Sequence, residues 1–108
     1  WSSENRSQLI RIPAARGEFE RAELRSADPM ANPYIAFALL IEAGLYGIEK
    51  RLILPESADM NLYTAPARVL EGFRRLPASL AEAEVAAYGS EFIARCLPEP
   101  VARAYFRR

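Results

Sequence analysis

The chain has 108 residues, 51% of them hydrophobic, with 14 basic and 14 acidic side chains and no net charge at pH 7. That length suits one small domain or a piece of a larger one, the apolar content argues against a disordered tail, and zero charge argues against a protein that grips nucleic acid through bulk electrostatics. With no histidine and one cysteine, Cys96, a self-contained zinc enzyme or histidine-dependent hydrolase is disfavoured, and a reducing, cytoplasmic setting is expected.

In chain order, Gln8-Leu9-Ile10-Arg11-Ile12 reads as a strand stopped by Pro13, and Phe19 to Arg25 as a second. Together they predict two strands within about 7–25, joined as a hairpin through Ala14 to Glu18 with its glycine, Gly17. Residues Ser26 to Pro33 are dense in turn formers. Asn32-Pro33 then supplies an N-cap and a first-turn proline for a helix over about 33–50. Ile35, Phe37, Leu39, Leu40, Ile41, Leu45, Tyr46 and Ile48 spread around its whole circumference. A helix apolar all round is a buried helix, which predicts further protein over it. The start at Trp1 rather than methionine carries the same expectation of protein upstream.

Residues 52–66 read as an ordered loop, followed by a short helix over about 66–76. A capping box, Ser79 with Glu82, then opens a helix over about 79–97, and a last one covers about 100–106. The predicted class is α+β, a hairpin followed by helices, over a single region 1–108. The longest uncharged stretch, Pro29 to Ile41, is too short to span a bilayer, so no membrane role is expected. Arg103, Arg107 and Arg108 read as solvated helix positions, and Cys96 as a small apolar filler.

Thirteen of the 14 basic residues are arginine. Composition alone explains that beside 19 alanines, although arginine's planar fork also suits phosphate and carboxylate recognition. Alternation in the second strand places Arg21, Glu23 and Arg25 on one face. Such a ladder is either the solvent face of a hairpin, with ion pairs of little individual worth, or a site in which a carboxylate holds a divalent cation between anion-binding arginines. Arg6 and Arg11 lie on the neighbouring strand or its entry, facing opposite ways by strict alternation. Spacing alone leaves their convergence with the ladder open.

Several of these segments resemble glutamine synthetases. Asn5-Arg6-Ser7 followed by Leu9-Ile10-Arg11-Ile12-Pro13 is similar to one family motif. Arg21-Ala22-Glu23-Leu24-Arg25 is similar to a second, and Asp28-Pro29 with Ala31-Asn32-Pro33-Tyr34 to a third. Ala43-Gly44-Leu45 with Gly47-Ile48-Glu49, and Asn61-Leu62-Tyr63, complete five motifs in order over residues 5–63. Beyond residue 63 the likeness is looser, through Leu76 to Leu80 and the helix after it.

The resemblance implies an ATP-dependent joining of L-glutamate and ammonia through a γ-glutamyl phosphate, with Mg²⁺ or Mn²⁺. It implies glutamate contacts from Arg6 and Arg25, nucleotide contacts from Arg6, Arg11 and Arg21, and a metal-ligand role for Glu23. In some bacterial members the tyrosine matching Tyr63 is adenylylated, although here Thr64-Ala65-Pro66 replaces the usual residues after it. The family forms ring-shaped homo-oligomers with sites built between subunits. Its other metal ligands, including a histidine, lie before this segment, so this chain is expected to carry one wall of a site and to be inactive alone. Two alternatives remain: a sister γ-glutamyl ligase that uses an organic amine, and a non-catalytic interaction module that keeps the fold.

Overall fold

The computed structural model describes residues 1–106, and its described residues form an α+β chain of two short strands and five helices. They divide into two units: Trp1–Ala31 with Leu52–Phe73, and Asn32–Arg51 with the segment from Arg74.

In the first unit, β1 (Ile10–Arg11) pairs antiparallel with β2 (Glu23–Leu24), setting Ile10 opposite Leu24 and Arg11 opposite Glu23. The backbone N–H of Arg25 extends the pairing by donating to Leu9 O at 2.9 Å. The paired part is shorter than the predicted strands. Gly17 adopts φ +65°, a left-handed conformation open to glycine at little cost, and starts a 3₁₀ turn over Gly17–Phe19. That turn occupies the start of the predicted second strand, where Glu20 and Ala22 are poor strand formers.

A third stretch joins β1 on its other side. Ser2 donates its N–H to Ile10 O at 3.1 Å and accepts from Ile12 N at 2.8 Å, a parallel bridge, and Trp1 O accepts from Ala58 N at 2.8 Å. The segment at Ala58 is thereby tied to the N-terminal stretch of this small stack. Its centre is polar: Ser2 and Gln8 are buried beside Ala58. The helix predicted over 66–76 is reduced to α2 (Ala67–Leu70). Beyond it Gly72 and Phe73 donate three residues back, to Val69 O and Leu70 O, a tightening at glycine that ends the helix.

In the second unit, α1 (Pro33–Glu49) begins at Asn32, whose Oδ1 accepts from Tyr34 N at 3.0 Å and Ile35 N at 3.3 Å. The Tyr105 hydroxyl accepts from Asn32 N at 2.8 Å, tying this start to the last helix. At the other end Arg51, with φ +49°, takes the left-handed position that usually falls to glycine, its N–H bonded to Ile48 O. The helix predicted over 79–97 divides into α3 (Leu80–Tyr88) and α4 (Glu91–Cys96). The break is chemical: Gly89 caps α3, and Ser90 Oγ accepts from Ile93 N at 3.3 Å, opening a new helix. At the start of α3, Ser79 Oγ accepts from Glu82 N, while the Glu82 carboxylate reaches Ala78 N rather than closing back on Ser79. Helix α5 (Glu99–Phe106) carries an Arg103–Glu99 ion pair one turn apart; the predicted solvated positions Arg107 and Arg108 lie outside the described residues.

Helix α4 packs on α1, α3 and α5. Its Arg95 guanidinium lies 4.5 Å from the centre of the Tyr46 ring on α1 and 5.6 Å from that of Phe92, a cation held against two aromatic rings. Leu97 is the one buried apolar side chain here among the described residues, and Cys96 is half-buried. The expected burial of α1 is not met within the chain. Tyr34, Phe37, Ile41 and Ile48 are 62–85% exposed. An exposed apolar face of this kind is a surface suited to association.

The isolated 108-residue chain is therefore expected to associate, and a heat-stable monomer by size exclusion with light scattering would contradict that. In the full-length protein, Asn32→Ala should lower stability by about 1 kcal/mol through the lost cap, and Arg51→Gly should raise it by about 1 kcal/mol through relief of the left-handed backbone, both read from urea midpoints.

Candidate functional site

The sequence-derived site residues all fall in the first unit. β1 and β2 place Arg11 directly across from Glu23, and the two-residue repeat along the extended chain adds Arg21 to the same face. Arg11 Nη1 donates to Glu23 Oε2 at 3.0 Å, and Arg21 Nη2 donates to Glu23 Oε1 at 3.0 Å. Each guanidinium is further held by a carbonyl: Arg11 Nε donates to Glu4 O at 3.3 Å, and Arg21 Nη1 to Phe19 O at 3.2 Å. The side chains of Arg11 and Glu23 are 19% and 27% exposed, against 53% for Arg21, so the cluster sits half-sunk with Arg21 at its rim.

The hydrogen bond from Arg11 holds the Glu23 carboxyl below the ordinary glutamate range. Partial burial pushes the other way, and the bond from Arg21 with the charge of both arginines adds to the lowering. Glu23 is thus an anion held ionised and aimed by two cations.

Arg6 and Arg25 are exposed, and their guanidiniums have no hydrogen bond or ion pair among the described residues. The structure therefore joins Arg11, Glu23 and Arg21 by direct contact and leaves Arg6 and Arg25 as cations whose donors are open to a ligand. Tyr63 is 83% exposed, its backbone N–H turned back onto Asn61 Oδ1 at 3.0 Å.

Arg6 sits in a shaped turn. Asn5 Oδ1 accepts from both Ser7 N at 2.9 Å and Ser7 Oγ at 2.8 Å. A cleft of about 260 Å³ opens beside the turn, lined by Ser3, Glu4, Asn5 and Asp59. Asp59 Oδ1 accepts from Ser3 N at 2.8 Å and Ser3 Oγ at 3.0 Å. The Ser57 hydroxyl first, then the Ser3 N–H, hold its carboxyl below the ordinary aspartate range. The candidate residues missed from sequence are those that brace this turn, Gln8 above all. Its partners lie some fifty positions away, and neither spacing nor periodicity marks such a contact.

A divalent cation can be tested against this donor set. Each Glu23 oxygen uses one lone-pair direction on a guanidinium and keeps another, so the carboxylate fits as one oxygen donor. Among the described residues no group of three His, Cys, Asp or Glu side chains gathers to complete a site. The chain fits a shared metal centre as a single ligand and does not fit as a metal site by itself.

The hairpin holds an ionised carboxylate between two guanidiniums, and the donors of Arg6 and Arg25 beside it have the planar fork that suits carboxylate and phosphate. The chain is a member of the glutamine synthetase family: residues 1–108 match the sequence model described as "Glutamine synthetase, catalytic domain". It is 46% identical over 107 residues to a glutamine synthetase of Methanosarcina mazei, covering 97% of this chain and 24% of that protein. It is 44% identical over 99 residues to one of Staphylococcus aureus, covering 90% and 22%, and 48% identical over 82 residues to one of Staphylococcus epidermidis, covering 74% and 18%. The chain thus spans about a quarter or less of the length of these relatives. The motif resemblance over residues 5–63 is confirmed, and the match extends through the helical part. No described helix is long and apolar enough to cross a membrane.

The lowered Glu23 pKa fixes the sign of a pH effect. The stability that its arginine contacts contribute is fully present above the ordinary glutamate value and is lost as pH falls through the depressed one. In the full-length protein the advantage of wild type over Glu23→Gln in urea midpoint should hold at neutral pH and shrink as the pH is taken below the ordinary glutamate range. A constant difference across that window would contradict the placement of Glu23.

Proposed function

We propose that this chain is one wall of the active site of an ATP-dependent glutamate–ammonia ligase, contributing arginines for anions and one carboxylate for a divalent metal. The observation that carries the reading is the Arg11–Glu23–Arg21 cluster, flanked by open arginines, in a chain matched along its whole length by the family's catalytic domain.

In this reading Arg6 and Arg25 bind the carboxylates of L-glutamate, and Arg6 with Arg11 and Arg21 faces the phosphates of ATP. Phosphoryl transfer to a carboxylate brings two anions together, and fixed guanidiniums offset that repulsion and the charge that develops in the transition state. Arg11 and Arg21 also hold Glu23 ionised and oriented, which keeps its free lone pairs available. Mg²⁺ or Mn²⁺, completed by ligands from the rest of the protein, supplies neutralisation of phosphate charge. Ammonia then displaces phosphate from the activated γ-carboxyl, giving glutamine. The working protein is a homo-oligomer, and the exposed apolar side of α1 is covered by protein outside this chain.

The test is phosphate release by the full-length protein with ATP, Mg²⁺, glutamate and ammonia, omitting each in turn. Turnover should need all four. Glu23→Ala should lower kcat at least ~10²-fold, and Arg25→Ala should raise the KM for glutamate roughly 10- to 100-fold. The isolated chain should show no glutamine formation. Turnover with polyamines in place of ammonia would move the protein to the sister ligases. No turnover from a folded, assembled protein would leave a non-catalytic module.

A further inference from the structure

The turn that carries Arg6 is not held by the hairpin alone. Gln8, two residues on, is 6% exposed, and its Nε2 donates to two carbonyls of the distant loop, Ala58 O and Met60 O, the latter at 2.7 Å. One amide NH₂ thus satisfies two acceptors through its two hydrogens. Beside it, Ser7 Oγ accepts from Leu62 N at 2.8 Å while bonding back to Asn5 Oδ1. Asn5, Ser7 and Gln8 therefore bracket Arg6 with hydrogen bonds, and two of the three reach across to residues 58–62. Arg6 itself has no bond from its guanidinium to fix it among the described residues, so its place is set by its neighbours.

The geometry points to Gln8, assisted by Ser7, as a positioning residue for Arg6: a side-chain clamp that locks the Arg6 turn to the loop of residues 58–62 and so sets where the arginine meets its carboxylate ligand. This rests on the proposed function, in which Arg6 binds glutamate. The burial of Gln8 makes the clamp consequential. Without its amide, Ala58 O keeps only the Met60 N–H at 2.8 Å and Met60 O only the Ser7 hydroxyl at 3.4 Å, so Gln8 no longer ties the Arg6 turn to this loop. A displacement of about 1 Å at a substrate-positioning cation is enough to cost on the order of tenfold or more. The effect should fall on the anionic ligand that Arg6 holds and not on ammonia, which has no anionic group for a guanidinium to meet.

The experiment uses the full-length enzyme with Gln8→Met, which keeps length and volume and removes both donors, and with Ser7→Ala as a milder variant should the first fail to assemble. Arg6→Ala serves as reference. The expected result is a rise of about tenfold in the KM for glutamate for Gln8→Met, with the KM for ammonia unchanged, and faster amide hydrogen exchange at residues 60–63. Ser7→Ala should show the same pattern, smaller. An unchanged glutamate KM in assembled Gln8→Met, with Arg6→Ala strongly impaired, would overturn the clamp and leave the function intact. An unchanged KM in Arg6→Ala would overturn the functional reading and the clamp with it. Equal rises for glutamate and ammonia would reduce Gln8 to a general structural role and also overturn the proposal.

Discussion

Among the described residues only Ala58 and Leu97 are buried apolar side chains, so hydrophobic burial inside the chain does little to arrange the first unit. Its order comes from hydrogen bonds between segments far apart in sequence. Ser2 lies against β1, Ala58 against Trp1, and Gln8 reaches the 58–60 carbonyls, while the Trp1 indole N–H donates to Pro55 O at 2.7 Å. A net hydrogen bond is worth about 1 kcal/mol, but leaving a buried acceptor without a donor costs more, so such a network specifies one arrangement more strongly than it stabilises it. The Arg11–Glu23–Arg21 cluster takes its register from the hairpin, and the Arg6 turn beside it is placed by that frame.

Features whose physics is local were legible in the sequence. Asn32-Pro33 starts α1, since the cap needs only the next turn of backbone. Ser79 and Glu82 start α3, and the hairpin pairs through the segments marked by Ile10 and Glu23. The Arg21–Glu23 contact followed from two-residue alternation; the Arg11–Glu23 contact did not, because register depends on the turn between the strands. That turn holds a left-handed Gly17 and a 3₁₀ segment in place of continued strand.

Other features depend on competition or distance. Residues 79–97 read as one helix because the apolar positions run through. Gly89 and Ser90 nonetheless offer a cap and a new start at the same point, and the local hydrogen bonds of Ser90 prevail over continuity. For α1 the all-round apolar pattern was plain, but a pattern states only that something must cover the helix. The family match supplies the context: the stretch shared with this chain is a quarter or less of each relative's length.

The long span of the Gln8 clamp also bears on how the site comes into being. The hairpin closes a short loop, whereas Gln8 and Ser7 must wait for residues 58–62 and bear the entropy of closing a loop of some fifty residues. Contacts so far apart form late in folding and contribute most to contact order. During synthesis the hairpin arginines are complete before residue 26, yet the segment that fixes Arg6 has not been made. The cation cluster is therefore assembled in two stages, a local one that pairs charge with charge and a later one that sets the position of Arg6.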